Sequence, residues 1–217
     1  GDFVMSASIH GATSFGIEPD KEWVKLSKLW LEASGISALL CMGAGEDLPF
    51  KDDVFDIVSC NFVLEHTKSP ARVIEEMVRV LRPGGYCYLN VPNYIFPWEH
   101  HYKIIWSLIL PKLLTRSYLQ LRGRDPEYMD HIYPITSTFI FRTLGKLNIK
   151  IVANLVDDAI RDPDEIISGR WKILSHMIRT LHIPIQFINL ISPVTSIIVT
   201  NSAQDSDIKS NRPYKNK

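Results

Sequence analysis

A carboxylate follows a short apolar run near the start of the chain. Glu18 comes directly after residues 15–17 (FGI), and Pro19 and Asp20 end the run. In open α/β sheets, ligands lie at the carboxyl ends of the strands, and an acidic side chain placed there can bind the hydroxyls of a ribose. The alternative is structural, because Glu18 could simply cap a helix that begins near Asp20. Glu18 therefore indicates either a nucleoside site or a helix cap.

Two further apolar runs also open into polar loops. Residues 43–50 read GAGEDLPF and follow the run at 38–42. Its glycines let backbone N–H groups approach a planar base, and Leu48 can pack on the face of that base. The alternative is a polar turn ahead of a strand. The third run, at residues 55–60, opens at Asn61 into the segment NFVLEH.

Alternating strands and helices must position these loops. The predicted strands lie at residues 13–17, 38–42, 55–60 and 86–91, and the predicted helices at 21–33 and 70–81. Ser69 is the expected N-cap of the second helix, Pro70 its first residue, and RPGG at 82–85 its end. This alternation predicts an α/β fold, with a parallel sheet and helices on both faces. Later residues predict helices over 136–147 and 163–181, strands over 149–155 and 194–200, and a flexible tail over 201–217.

Four segments, in this order and spacing, carry a family resemblance. The segments are GIEPD, GAGEDLPF, FDIVSCNFVLEH and VLRPGG, which lie between residues 16 and 85. Together they resemble the class I S-adenosylmethionine-dependent methyltransferases, in particular the group that modifies small molecules. The resemblance covers about residues 1–93. It implies a Rossmann-like, doubly wound, mostly parallel sheet whose first strand is missing here, with an α-rich insertion after the fifth strand.

The resemblance also implies S-adenosylmethionine as cofactor and a role for each matched position. Glu18 would bind the two ribose hydroxyls, Gly45 and Glu46 would lie along the adenine with Leu48 nearby, and Asn61 and Phe62 would border the methionine part and the methyl group. The complete set of expected cofactor-binding positions is Gly1, Glu18, Pro19, Ala44, Gly45, Glu46, Leu48, Asn61 and Phe62.

The chain departs from the family pattern at two of these positions. Ala44 stands where many relatives have an aspartate that accepts from the adenine amino group, so adenine recognition is expected to rest on backbone contacts. Gly1 resembles the last glycine of the family's Gly-rich loop. We therefore expect the chain to be N-terminally truncated inside that loop.

Three histidines are candidate general bases for a hydroxyl acceptor, which must lose a proton during methylation. They are His66 and the neighbouring pair His100 and His101. His66 could instead be a satisfied structural histidine, and the segment that holds His100 and His101 could be a loop that its aromatic side chains pack onto the domain. Glu65 and His66 also resemble a pair in quinone-pathway methyltransferases, some of which hold a divalent metal near this position. Because no further acidic ligands are evident nearby, no metal site is predicted.

The second half of the chain is expected to select the acceptor. Residues 1–93 are predicted to be the cofactor-binding part, and residues 94–200 the substrate-side insertion or lid with the last helix and strands of the same domain. Arginines at 116, 122 and 124 could meet an anionic group, although residues 122–125 could instead form a solvated turn. We expect O-methylation of a small, lipid-linked or sugar-linked acceptor. The apolar run at 103–114 is expected to cover the pocket, or alternatively to contact a membrane surface peripherally.

Composition limits the other possibilities. The chain has 217 residues, 46% of them hydrophobic, and 24 basic against 24 acidic residues, which excludes a chain that is disordered as a whole and gives no reason to expect nucleic-acid binding. Residues 1–93 carry a net charge of −5 and residues 94–217 one of +5. Three scattered cysteines in apolar runs indicate buried thiols in a reducing cytoplasm.

Two rival functions stay open on sequence grounds. One is a nicotinamide-dependent oxidoreductase, because Glu18 also suits a dinucleotide ribose. The other is a scaffold that keeps the methyltransferase fold but is catalytically impaired, for which Ala44 and the expected truncation are the reasons.

Overall fold

The computed structural model describes residues 2–36, 38–99, 101–106, 109–162, 164 and 170–201. Gly1, His100 and most of the expected tail lie outside the described residues. The chain divides into two compact units, Gly1–Lys51 and Asp52–Lys217. The predicted boundary near residue 93 separates a cofactor-binding part from a substrate-side part, which is a functional division, and it stays a prediction.

The first unit contains two helices and a two-stranded parallel sheet. Its elements are α1 (Asp2–Ile9), β1 (Phe15–Glu18), α2 (Lys21–Ala33) and β2 (Leu39–Met42). β1 and β2 pair in parallel, with Glu18 opposite Met42. Helix α2 has the predicted limits, whereas α1 was not predicted. The apolar face of α2 includes Val24 and Leu31, which are buried.

The second unit is built on a mixed four-stranded sheet. Its strands are β3 (Phe55–Asn61), β4 (Leu81–Pro92), β5 (Lys150–Asn154) and β6 (Val194–Thr200), in the order β3-β4-β6-β5. β3 and β4 are parallel, whereas β6 is antiparallel to both of its neighbours. Its helices are α3 (Pro70–Val80), α4 (Lys112–Leu121), α5 (Ser137–Lys146), α6 (Leu155–Arg161), α7 (Arg170–Thr180) and α8 (Ile185–Ile191). Short 3₁₀ turns occupy Leu64–His66 and Glu127–His131.

The core of the second unit fixes the turn that follows β3. Helices α3 and α5 contribute apolar side chains to one buried cluster with β3, β4 and β6, and Leu64 of the 3₁₀ turn is fully buried in it. Burying a leucine side chain stabilises the fold by about 1.5–3 kcal/mol. Leu64 therefore anchors its polar neighbours Glu65 and His66. A second cluster, which includes Tyr94, Tyr102 and Ile104, orders the segment after β4.

Most predicted elements are confirmed, with shifts at their ends. α3 begins at Pro70 as expected, but the Ser69 side chain makes no capping hydrogen bond. The expected helix over 163–181 is described only as α7, because residues 163 and 165–169 lie outside the described part. None of the helices among the described residues combines the length and the apolar character needed to cross a bilayer.

Candidate functional site

The two polar loops of the first unit leave the same edge of its sheet. Glu18 is the last residue of β1, and its backbone oxygen accepts a hydrogen bond of 3.2 Å from the N–H of Gly43, just after β2. The Glu18 carboxylate accepts from the N–H of Asp20 at 3.0 Å. The true N-cap of α2 is Asp20, which accepts from the N–H groups of Glu22 and Trp23. Glu18 thus supports the turn before the helix but does not cap the helix itself.

The loop after β2 folds into a tight turn. The backbone oxygen of Ala44 accepts from the N–H of Asp47 at 3.2 Å, which places Gly45 and Glu46 at the tip of the turn. Leu48 is half-buried, and its backbone oxygen accepts from Phe50. Both an adenine-binding loop and a merely structural turn would have this local structure, so the adenine-binding role of these residues stays a prediction. The cofactor-binding role of Pro19 also stays a prediction.

In the second unit, the chain turns sharply after β3. Phe62 has a backbone φ of 52°, which lies in the left-handed region that non-glycine residues rarely adopt. Its N–H donates to the backbone oxygen of Asn90 at 2.8 Å, and the Asn90 side-chain amide donates to Oδ1 of Asn61 at 2.7 Å. Strained backbone of this kind persists where surrounding contacts impose it, often at functional sites. Asn61 and Phe62 are the positions assigned to the methionine side of the cofactor, and that assignment stays a prediction.

Two of the three candidate bases lie together. The rings of His66 and His101 are 5.5 Å apart between centroids, in an edge-on arrangement. Glu65 lies beside them, and one donor atom from each of Glu65, His66 and His101 lies within 4.8 Å of the others. We call these three residues the Glu65–His66–His101 cluster. His100, the third candidate, lies outside the described residues.

A buried acid orients His101. Nδ1 of His101 donates to Oε1 of Glu99 at 2.8 Å, and the other Glu99 oxygen accepts from the backbone N–H of Tyr102. The Glu99 residue is only 1% exposed. Its carboxylate raises the pKa of His101 above the ordinary value, mainly through this hydrogen bond. Glu99 was missed from the sequence, although its place two residues before a histidine was a usable signal.

Glu65 is buried without full hydrogen bonding. The residue is 1% exposed, and Oε2 has no hydrogen-bond partner among the residues that the structure describes. Burial raises the pKa of this carboxyl, and the nearby His101 acts in the opposite direction. Its backbone oxygen accepts from the N–H of Tyr133 at 2.7 Å, which ties the 3₁₀ turn to the segment that follows Glu127–His131. Glu99 therefore holds the His101 side of the cluster, and Tyr133 holds the Glu65 side.

Of the arginines considered for an anionic acceptor, Arg116 is engaged within the protein. Its guanidinium forms an ion pair with Asp130, and Lys112 lies 3.6 Å from the same carboxylate. Both cations are thus partly neutralised. The alternative of a solvated turn concerns residues 122–125, and it stays a prediction.

Known proteins similar to this chain point to one class of domain. Residues 1–89 match the family model described as a methyltransferase domain. The ubiquinone/menaquinone biosynthesis C-methyltransferase of Geotalea daltonii is 31% identical over 101 residues, which are 44% of this chain and 43% of that protein. The ubiquinone biosynthesis O-methyltransferase of Thiobacillus denitrificans is 33% identical over 84 residues, 38% of this chain and 36% of that protein.

The fold is similar to that of a solved relative. Bacillus subtilis YcgJ, described as an uncharacterized methyltransferase, is 28% identical over 86 residues, 39% of this chain and 34% of that protein. Its crystal structure superposes with a TM-score of 0.52 at 17% identity, covering 92% of this chain and 85% of that chain. The predicted Rossmann-like α/β fold is confirmed. The chain spans between about a third and a half of the curated relatives it first matches.

Proposed function

We propose that this chain, a member of the class I S-adenosylmethionine-dependent methyltransferases, transfers the cofactor's methyl group to an oxygen of a small or lipid-linked acceptor. The observation that carries the proposal is the match of the methyltransferase-domain model to residues 1–89. Every position that we expect to contact the cofactor lies within that range. The match favours methyl transfer over the nicotinamide-dependent alternative.

When bound, S-adenosylmethionine supplies a methyl group on a sulfonium, which is already electrophilic. The protein must align an acceptor atom with the methyl group and exclude water, and such positioning is worth up to about 7–11 kcal/mol. Glu18, half-buried at the end of β1, would accept the ribose hydroxyls. The turn at Gly45 and Glu46 would follow the adenine through backbone contacts, since Ala44 cannot accept from the adenine amino group.

A hydroxyl acceptor also requires a group that takes its proton. The Glu65–His66–His101 cluster gathers titratable side chains directly after β3, next to the positions expected to border the methyl group. His101 suits this task because Glu99 fixes its ring and leaves its Nε2 available. A general base of this kind contributes a rate factor of roughly 10²–10⁴.

Methylation of carbon is a second candidate reaction. The relative from Geotalea daltonii is named as a C-methyltransferase, whereas the relative from Thiobacillus denitrificans is named as an O-methyltransferase. Both names refer to quinone biosynthesis, which favours a ring-bearing, lipid-linked acceptor for this chain. We favour oxygen because the cluster offers a proton acceptor for a hydroxyl group.

Calorimetric titration with S-adenosylmethionine tests the assignment, with NADH as the rival ligand. Glu18→Ala should bind S-adenosylmethionine at least about tenfold more weakly, because a hydrogen bond to a charged group is worth about 1.5–3 kcal/mol. Glu22→Ala is the matched control, since Glu22 is exposed and pairs only with Lys25 among the described contacts. Absence of binding at millimolar S-adenosylmethionine would contradict the proposal. Cofactor binding without methylation of any hydroxylated quinone precursor would support the impaired scaffold instead.

A further inference from the structure

We propose that the outward face of helix α4 is a docking surface for an anionic phospholipid bilayer. The surface combines leucine side chains that are exposed to solvent with basic residues at the end of the helix. We call it the α4 surface, and it comprises Leu110, Leu113, Leu114, Leu121, Arg122 and Arg124. Bilayer binding through this surface does not depend on the proposed methyl transfer.

Helix α4 exposes apolar side chains on the face where a surface helix normally carries polar ones. Its buried side is formed by Thr115 and Leu119, both 0% exposed. On the opposite side, Leu113, Leu114 and Leu121 are 76%, 54% and 86% exposed. Leu113 and Leu121 lie about two helical turns apart, so they share one face of the helix. Apolar side chains exposed together in this way mark a surface that binds a partner.

Contacts on the buried side hold α4 in this orientation. The indole ring of Trp106 stacks on Tyr118 with 4.2 Å between ring centroids, and its Nε1 donates to Oγ1 of Thr115 at 3.1 Å. Leu119 packs in the apolar cluster that contains Tyr102. Because one side of the helix is fixed to the domain, the exposed leucines stay on the side that faces away from it.

The charge of this segment is a second observation, and it points to an anionic partner. Residues 103–124 contain five basic residues and no acidic one. Two of the five pair with the carboxylate of Asp130. The other three are exposed and form no ion pair among the residues that the structure describes, namely Lys103, Arg122 and Arg124. An apolar helix face beside basic residues is complementary to acyl chains and anionic headgroups.

A second copy of this chain is the main alternative occupant, and the charge disfavours it. A symmetric dimer places the same surface on both subunits. The arginines of one copy would then approach those of the other, and residues 103–124 offer no acid to compensate them. An anionic bilayer carries the opposite charge. Helix α4 has 10 residues, too few to cross a bilayer, so it would lie parallel to the bilayer surface.

Docking at the α4 surface would bring a bilayer close to the candidate site. Leu119 of α4 shares its apolar cluster with Tyr102, which directly follows the candidate base His101. A lipid-linked acceptor would then approach His101 from the bilayer to which α4 is bound. This last step rests on the proposed function, whereas bilayer binding itself does not.

The test measures co-sedimentation of the full chain with sucrose-loaded vesicles. One set consists of phosphatidylcholine alone, and the other of equal amounts of phosphatidylcholine and phosphatidylglycerol. We expect binding to the anionic vesicles that added salt weakens, and much weaker binding to the neutral ones. Leu113→Ser combined with Leu114→Ser should weaken the affinity for anionic vesicles by at least about tenfold, because binding scales with the apolar area buried. Arg122→Gln and Arg124→Gln should each weaken it by about fivefold.

Matched variants control for the loss of leucines and of charge elsewhere on the chain. Leu26→Ser combined with Leu29→Ser removes two leucines of α2 that are 55% and 63% exposed. Arg142→Gln combined with Lys146→Gln removes two exposed positive charges from α5. Neither control should change the affinity for anionic vesicles appreciably. Circular dichroism checks that each variant is folded, and the arginine variants test the surface independently of the leucine variant.

Three results would overturn the proposal. The first is no binding of the wild type to anionic vesicles at millimolar lipid. The second is unchanged binding by the folded leucine and arginine variants, or an equal loss in the controls. The third is a wild-type dimer that binds no vesicle and that the leucine variant converts to a monomer in analytical ultracentrifugation, because the surface would then join two copies. S-adenosylmethionine titration of the same samples separates each result from failure of the methyltransferase assignment.

Discussion

Oε2 of Glu76 accepts a hydrogen bond of 2.6 Å from Nη2 of Arg79 one turn later in α3, while Glu76 itself is only 1% exposed. Arg79 also donates through Nη1 to Asp52 at 2.7 Å. Arg72, one turn earlier, donates to the other Glu76 oxygen at 2.9 Å. A buried carboxylate is thus compensated by two arginines, and α3 is tied to the residues that precede β3.

Removing that carboxylate should be costly. Glu76→Ala leaves the guanidinium of Arg79 with only Asp52 of the two carboxylates it pairs with, so we expect the free energy of unfolding to fall by about 1–3 kcal/mol. Glu75→Ala is the matched control, because Glu75 is about half exposed and its ion pair with Arg72 should be worth about 0–1 kcal/mol. Urea denaturation monitored by circular dichroism measures both. Equal losses for the two variants would contradict this account of the ion pairs.

The left-handed backbone of Phe62 predicts an inverted order of two substitutions. Glycine adopts positive φ without penalty, whereas other residues lose about 1–2 kcal/mol there. Phe62→Gly should therefore be more stable than Phe62→Ala by about 1 kcal/mol. At the next residue, Val63, φ is −121°, and the usual order should return, with Val63→Ala more stable than Val63→Gly. If alanine were the better replacement at both positions, the strain at Phe62 would be disproved.

Gly85, the second glycine after α3, is explained by a close backbone approach. A Cβ atom on Gly85 would lie 2.9 Å from the backbone oxygen of Asp56, so Gly85→Ala should destabilise the protein by about 1–3 kcal/mol. Gly145, in helix α5, has open space around the position that a Cβ atom would take, with nothing within 4 Å, and Gly145→Ala should be stabilising by about 0.4–1 kcal/mol. Thermal unfolding of the two variants compares them directly. A stable Gly85→Ala variant would mean that β3 can move away from Gly85.

Local sequence signals predict most of the helices and strands, but not how distant strands pair. The spacing of apolar residues, the helix-starting Pro70 and the helix-ending RPGG are all local signals. For this reason α2, α3 and the strands were predicted within a few residues of their ends. Helix α1 was missed because its apolar residues show no helical face. The antiparallel pairing of β6 depends on contacts between distant parts of the chain, which local patterns do not encode.

In the candidate site, too, the features set by local sequence were predicted and those set by contacts between distant residues were not. The loops after β1, β2 and β3 were predicted because each follows an apolar, strand-like run that opens into polar residues. The partnership of His66 and His101 was not predicted, because it requires the segment after β4 to fold back onto the turn after β3. Glu99 was missed for a related reason: burial converts an ordinary surface acid into the group that orients His101, and burial there is set by the apolar cluster around Tyr102.

The three cysteines should differ in reactivity. Burial raises the pKa of the Cys60 thiol to about 12, and burial also raises the pKa of Cys87 strongly. Because the thiolate is the reactive form, neither residue should be alkylated in the folded protein between about pH 7 and 9 at a rate near that of a free thiol. Cys41 is half-buried and should react first. Mass spectrometry after brief iodoacetamide treatment, with a urea-unfolded sample as control, distinguishes one labelled site from three. Equal labelling of all three in the folded protein would contradict the burial of Cys60 and Cys87.

The ion pair of Arg116 with Asp130 should disappear at low pH. Arg116 lowers the pKa of the Asp130 carboxyl below its ordinary value, with Lys112 contributing in the same direction. A carboxyl with a lowered pKa in the folded state stabilises the protein above its unfolded pKa of about 3.9, and this contribution is lost as the pH falls through the folded pKa. A double-mutant cycle with Arg116→Met and Asp130→Asn should therefore show coupling near neutral pH and none at the lowest pH at which the protein stays folded. The coupling should also weaken with added salt, because both side chains are about 42% exposed. Coupling that is equally strong at both pH values would show that the two residues interact through packing, and that charge has no part in it.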